Sequence, residues 1–104
     1  MIIPFSAGGP TDVVGRIVFE QVLQQLGQRI VVENRTGADG RIGLTAVAQA
    51  PADGYTLLVA TPIISVGEHL MADRAGRSKD FSGLCAVAAP PSVFVVWSGL
   101  PART

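Results

Sequence analysis

The sequence predicts an α/β fold with a mostly parallel sheet and helices on both of its faces. Over residues 1–60, short apolar runs alternate with longer segments of helical period, the sequence form of a β-α-β-α-β unit. Turn clusters separate these segments at Ser6-Ala7-Gly8-Gly9-Pro10 and at Asn34-Arg35-Thr36-Gly37-Ala38-Asp39-Gly40. The run Tyr55-Thr56-Leu57-Leu58-Val59-Ala60 is apolar on successive positions, as expected of a strand covered on both faces in a parallel sheet.

Each element has a local cause. Residues 2–5 form a short first strand, and a helix follows the first turn with Gly9 or Thr11 as its N-cap. In that helix Val14, Val18, Val22 and Leu26 recur at i+4, with Ile17 and Leu23 beside them, giving an apolar stripe to lay on a sheet. Gly27 ends it, because the residue after a helix commonly turns left-handed, where glycine meets no steric penalty. Residues 29–33 contain Ile30-Val31-Val32, a β-branched run too short for a helix, and make the second strand. The next helix turns Ile42, Ala46, Val47 and Ala50 inward. Pro51 stops it, and Asp53-Gly54 turns the chain into residues 55–60, expected at the centre of the sheet. Further on, the sequence suggests a helix over 63–71, a loop over 74–78, a strand over 83–88, a break at Pro90-Pro91 and a β run over 92–97. Residues 1–97 are read as one unit and 98–104 as a tail.

Composition narrows the function. A chain of 104 residues holds one core, and 48% hydrophobic against 15% charged residues excludes a disordered chain. Eight Lys and Arg balance eight Asp and Glu, so no long-range field draws the protein to nucleic acid or an anionic membrane surface. Cys85 is the single cysteine, which rules out an internal disulfide; within Leu84-Cys85-Ala86-Val87-Ala88 it reads as a buried structural thiol. Met1-Ile2-Ile3-Pro4-Phe5 lacks the basic and long apolar regions of an export signal, and no stretch approaches the roughly twenty apolar residues of a membrane span, so a soluble chain is expected.

No cofactor is expected. Gly37, Gly40 and Gly43 are spaced G-x-x-G-x-x-G, which is not the dinucleotide fingerprint, and no glycine cluster leads into G-K-[ST]. Catalysis is poorly served too. His69 has no second ligand or nucleophile at motif spacing, Ser6 and Ser65 lack the G-x-S-x-G context, and Asp12 and Glu20 stand eight residues apart. No metal site and no enzyme activity are expected.

Binding is better served. Parallel strands deliver the turns at Ser6 to Thr11, at Asn34 to Gly40 and from Thr61 onward to one sheet edge, where open α/β sheets hold ligands. The first turn combines missing side chains with an immediate helix start. The first N–H groups of a helix lack internal partners and carry the positive end of its dipole, so an anion satisfies both, and glycine lets it approach the backbone. A carboxylate fits a loop that contains no Lys or Arg. Thr11 offers a hydroxyl donor and Asp12 an acceptor; equally, Thr11 and Asp12 serve as simple helix caps and Gly8-Gly9 as a simple turn.

Three ordered runs resemble one family. They are Pro4-Phe5-Ser6-Ala7-Gly8-Gly9-Pro10-Thr11-Asp12, then Gly27-Gln28-Arg29-Ile30-Val31-Val32-Glu33-Asn34-Arg35-Thr36-Gly37-Ala38-Asp39-Gly40-Arg41-Ile42-Gly43, and Pro51-Ala52-Asp53-Gly54-Tyr55-Thr56-Leu57-Leu58. Together with Lys79-Asp80-Phe81 and Val93-Phe94-Val95-Val96 they resemble the Bug (TctC-like) family, solute receptors of tripartite tricarboxylate transporters. The resemblance implies a periplasmic clamshell of type II binding-protein architecture, of which this chain is a partial first lobe ending near the first interlobe crossover. It implies a small carboxylate ligand, membrane transporter subunits as partners, and a periplasmic location. By position, Phe5, Ser6, Ala7, Gly8, Gly9, Thr11 and Asp12 resemble the carboxylate-holding loop, and Thr61 and Ser65 resemble cleft-lining positions. Gly67-Glu68-His69-Leu70-Met71 departs from the family's Asn-Pro-x-Leu-Tyr. Two other readings remain: a truncated lobe that self-associates or pairs with another chain through an exposed apolar run such as Val93 to Trp97, and a flavodoxin-like or nucleotide-dependent enzyme, which lacks a fingerprint.

Overall fold

The computed structural model describes residues 1–62, 77–91, 93, 95, 97 and 99, and within them the protein is a small α/β unit. Strand β1 (Ile2–Ile3) pairs in parallel with β2 (Glu33–Asn34), Ile2 facing Glu33 and Ile3 facing Asn34. The amides of Glu33 and Arg35 donate to the carbonyls of Met1 and Ile3 at 2.9 and 3.0 Å. On the other edge of β1 the chain at 57–59 also runs parallel. Ile2 donates to the Leu57 carbonyl at 2.8 Å, and Val59 donates to the Ile2 carbonyl at 3.1 Å. The lateral order is therefore β2, β1, 57–59.

This order corrects two expectations. Among the described residues the central strand is β1, not 55–60: β1 is paired on both edges, Tyr55 is 88% exposed, and Ile2 and Ile3 are buried. The connection from β1 to β2 steps one way across the sheet, and the next connection carries the chain back past β1 to its far edge. The second strand also pairs later than the β-branched run suggests. Residues 33–34 make the ladder; Val31 has an exposed side chain and contributes only its carbonyl, which accepts from the Met1 N-terminus at 2.8 Å, while the carbonyls of Met1 and Ile3 accept from Glu33 and Arg35.

Fixed crossover handedness predicts the layers. A right-handed connection that steps one way and another that steps back must cover opposite faces. Helix α1 (Pro10–Leu26) lies on the Ile3 side; a Cβ on its Gly15 would stand 3.2 Å from Ile3 Cδ1 and 3.3 Å from Val59 Cγ2. Helix α2 (Arg41–Ala48) lies against Pro4, whose side chain alternates to the other face of the strand; a Cβ on Gly43 would stand 2.8 Å from Pro4 Cβ. The core gathers Ile2, Ile3, Pro4, Leu44 and Val59 around β1. Burial of one such Val, Leu or Ile side chain is worth roughly 1.5–3 kcal/mol relative to exposure.

Both helices approach the sheet through a glycine, and this rotates their faces from those the apolar spacing suggests. In α1 the buried residues are Asp12 and Gly15; Val14, Val18, Val22 and Leu23 are half-buried, while Ile17 and Leu26 are exposed. In α2 the buried residues are Gly43 and Leu44, and Ile42 is 54% exposed rather than inward. The helix ends follow the expected chemistry. Gly9 is the N-cap with Pro10 in the first turn, and Gly27, at φ 63°, donates its amide to the Leu23 carbonyl. Gly54, at φ 82°, and the Tyr55 amide bonded to Asp53 Oδ1 make the turn into residues 57–59.

Beyond residue 62 the picture differs. A short 3-10 turn spans Ser78–Asp80, with the Arg77 amide bonded to Asp80 Oδ2 at 3.0 Å. Residues 83–88 form no strand and are exposed; Leu84 is 79% exposed. Cys85 is an exposed free thiol, not a buried one, since no layer covers this segment among the described residues. Of the expected run 92–97, the described Val93, Val95 and Trp97 are exposed. The expected helix over 63–71 lies outside the described residues, as do Ser65 and His69.

Candidate functional site

Because β1, β2 and 57–59 are parallel, their carboxyl ends open onto one edge. Phe5 through Asp12 follow β1, residues 35–40 follow β2, and Thr61 follows the third segment. The first two turns touch: a Cβ on Gly40 would lie 3.6 Å from Phe5 Cζ and 3.3 Å from Pro4 Cβ. Phe5 and Thr61 are half-buried; Ser6, Ala7 and Gly8 are exposed.

A helix begins with donors that lack intrahelical partners, and the fate of each at α1 can be followed. Gly9, the N-cap, donates to the Ser6 carbonyl at 3.1 Å, and Pro10 has no N–H. Val13 makes the first intrahelical bond, to the Gly9 carbonyl at 2.9 Å. The amides of Thr11 and Asp12 remain without a protein acceptor among the described residues. Gly8, at φ 77°, donates to Asp12 Oδ2 at 2.9 Å. Of the amides the glycine loop was expected to present, those of Gly8 and Gly9 are therefore occupied within the protein.

Asp12 is the hub of a polar cluster. Its side chain is buried, and Oδ2 accepts from Gly8 N and from Arg16 Nε, both at 2.9 Å, while Oδ1 accepts from Asn34 Nδ2 at 2.8 Å. The same Asn34 nitrogen donates to the Phe5 carbonyl at 3.0 Å, and Asn34 Oδ1 accepts from Arg16 Nη2 at 2.9 Å. The Arg16 hydrogen bond, followed by those from Gly8 and Asn34, holds the Asp12 carboxyl well below the usual carboxylate range, and burial only partly opposes them. The same pairing raises the Arg16 pKa. Asp12 thus faces its own protein, and its charge is matched before any ligand arrives. That corrects its expected place as a free acceptor.

Sequence reasoning missed Arg16 and Asn34. The Asp12/Arg16 spacing of i, i+4 was a usable signal. Asn34 was placed only at the same sheet edge as the first turn; its contact with Asp12 depends on the register in which β1 pairs with β2.

The second turn has a different character. Gly37, Ala38, Asp39 and Gly40 all have positive φ, at 118°, 46°, 54° and 88°. The Gly40 amide bonds the Gly37 carbonyl at 3.0 Å, and α2 starts without a side-chain cap. Among the described residues, no group of three or more His, Cys, Asp or Glu side chains could hold a metal, and no helix is long and apolar enough to cross a membrane.

Comparison with known proteins identifies relatives of this chain. The family model described as the tripartite tricarboxylate transporter family receptor, TctC, matches residues 14–104. Protein BugT of Bordetella pertussis is 48% identical over 73 residues, covering 68% of this chain and 22% of its own length. A UPF0065 protein from the tcbD-tcbE intergenic region of Pseudomonas sp. strain P51 is 36% identical over 91% of this chain and 29% of its own length. A UPF0065 protein from the TAR-I ttuE-ttuC' intergenic region of Agrobacterium vitis is 34% identical over 100% of this chain and 30% of its own length. The chain thus spans less than a third of each of these curated relatives. No solved structure matches it significantly. With the family model covering most of its residues and these relatives agreeing, the chain belongs to the tripartite tricarboxylate transporter receptor family.

Proposed function

We propose that this chain contributes the first-lobe half of a solute site for a tripartite uptake system, and that it holds a small carboxylate on the backbone where α1 begins. The observation that carries the reading is the pair of adjacent amides, Thr11 and Asp12, without an acceptor among the described residues, at the positive end of a 17-residue helix beside exposed Ser6, Ala7 and Gly8. The Thr11 hydroxyl is a third donor in the same turn. The lateral order β2, β1, 57–59 supports the same place, since doubly wound sheets of this order bind at the crevice between the ends of the first and third strands. That crevice lies between the Phe5–Asp12 turn and Thr61, with Ser65 as its proposed continuation. The full receptor is read as a two-lobed periplasmic clamshell, working with membrane transporter subunits and without catalysis or a cofactor.

The test is calorimetric titration of the chain with citrate, succinate and benzoate at low ionic strength. Heat is expected from at least one, weakened several-fold in Thr11→Val, which removes the hydroxyl while keeping the shape. No heat from any of the three sinks the reading for this polypeptide.

A second reading has its own observation. Leu84, Val93, Val95 and Trp97 are each more than three-quarters exposed, at 79%, 80%, 83% and 77%. Apolar surface of this kind suits a protein partner or a second copy. Sedimentation decides it: a single monomeric boundary at high concentration counts against self-association.

A further inference from the structure

We infer that Asp12, Arg16 and Asn34 are positioning residues, which set the geometry of the Phe5–Asp12 turn before any ligand binds; their relevance to binding rests on the carboxylate reading above. The cluster grips the turn at two backbone points. Asn34 Nδ2 holds the Phe5 carbonyl where the chain leaves β1, and Asp12 Oδ2 holds the Gly8 amide at the middle of the turn, where φ is 77°. Three elements meet in it: Asp12 and Arg16 stand one helical turn apart on α1, Asn34 ends β2, and both backbone points belong to the loop after β1.

Two physical consequences follow. With Phe5 and Gly8 tied, the loop between them has little freedom left to lose on binding, and pre-organisation of this kind raises affinity without a new ligand contact. The second consequence is electrostatic. A carboxylate at the third position of a helix would repel an anion arriving at the same helix start. Here both of its oxygens are turned to donors, and Arg16 balances its charge, so the amides of Thr11 and Asp12, which have no acceptor among the described residues, keep their attraction for an anion. Arg16 is half-exposed and the Asp12 side chain is almost wholly covered, so the positive partner sits toward solvent and the negative one inside.

The test reads the loop without a ligand. Amide hydrogen exchange by NMR on the full 104-residue chain is compared with the variants Asp12→Ala, Asn34→Ala and Arg16→Met. Gly8 is expected to exchange about fivefold faster or more in Asp12→Ala, and faster to a lesser degree in Asn34→Ala and Arg16→Met. The sheet amides of Ile2, Arg35 and Val59 should stay unchanged. A purely structural role would instead speed all of these amides together, and that uniform result overturns the inference. So does an unchanged Gly8. If Asp12→Ala does not fold, Arg16→Met decides in its place, because that side chain is half-exposed and its loss leaves the core intact. Citrate titration of the same variants forms a separate arm, with affinity expected to fall about fivefold in Asn34→Ala. Absence of citrate binding to the native chain would count against the receptor reading alone, because the Gly8 exchange result is obtained without it.

Discussion

The two strand-to-helix turns at the sheet edge solve the same problem by different means. The first, after β1, has one positive-φ residue, Gly8, and is fastened by side chains from α1 and β2. The second, after β2, is fastened by its own backbone, through four consecutive positive-φ residues of which two, Ala38 and Asp39, are not glycine. A non-glycine residue in that region costs roughly 1–2 kcal/mol and is tolerated only where its surroundings over-determine it. The first turn is thus pre-set by a polar network and open to solvent, whereas the second is pre-set by strain and packed on Phe5 and Pro4. Different substitutions should therefore break them.

The largest effect is expected in the second turn. At Gly37 a Cβ would sit 2.6 Å from Ile42 Cδ1, and φ of 118° with ψ of 153° belongs almost wholly to glycine. Gly37→Ala should lower stability by about 2 kcal/mol in urea denaturation, and an unchanged midpoint would contradict the strained geometry. In the first turn, Gly8 has open space where a Cβ would go, so Gly8→Ala meets only the backbone penalty. About 1 kcal/mol is expected from the same measurement, and a loss as large as that at Gly37 would erase the contrast. Smaller still is Ala38→Gly. It relieves left-handed strain at φ 46° but adds freedom to the unfolded chain, for a net gain below about 1 kcal/mol.

The last effect appears only in acid. Because the folded protein depresses the Asp12 carboxyl below its ordinary value of 3.8, Asp12 contributes stability that is fully present above that pH and is lost as pH falls below it. Thermal melts of the native chain and Asp12→Asn should differ by a constant amount from about pH 7 to about pH 5 and converge toward about pH 2. A difference that is constant throughout would show that the network does not depend on the Asp12 charge.

The two halves of the sequence also separate in how legible they were. Residues 1–62 combine helical periodicity, glycine stops and β-branched runs that agree with one another, and the α/β unit appears as those signals indicate. Residues 83–88 are just as apolar yet exposed and unpaired among the described residues, because apolar composition marks a capacity for burial and not the surface that would cover it. The candidate site was legible at the level of the loop. Which amides stay free was not, since that depends on Ser6 and Asp12 turning back onto Gly9 and Gly8.

By itself the sequence determined the local elements: Gly9 and Pro10 start α1, Gly27 ends it, and the glycine turn meets a helix start at the carboxyl end of β1. These depend on backbone preferences within a few residues of each position, which the residue types express directly. Tertiary structure decided that β1 is central among the described residues, that each helix makes its closest approach to the sheet at a glycine, Gly15 or Gly43, and that Asn34 joins Asp12 and Arg16. Each of those outcomes is a contact between segments distant in the chain, chosen by the direction of the crossovers and by which backbones can approach closely, and no local preference encodes it.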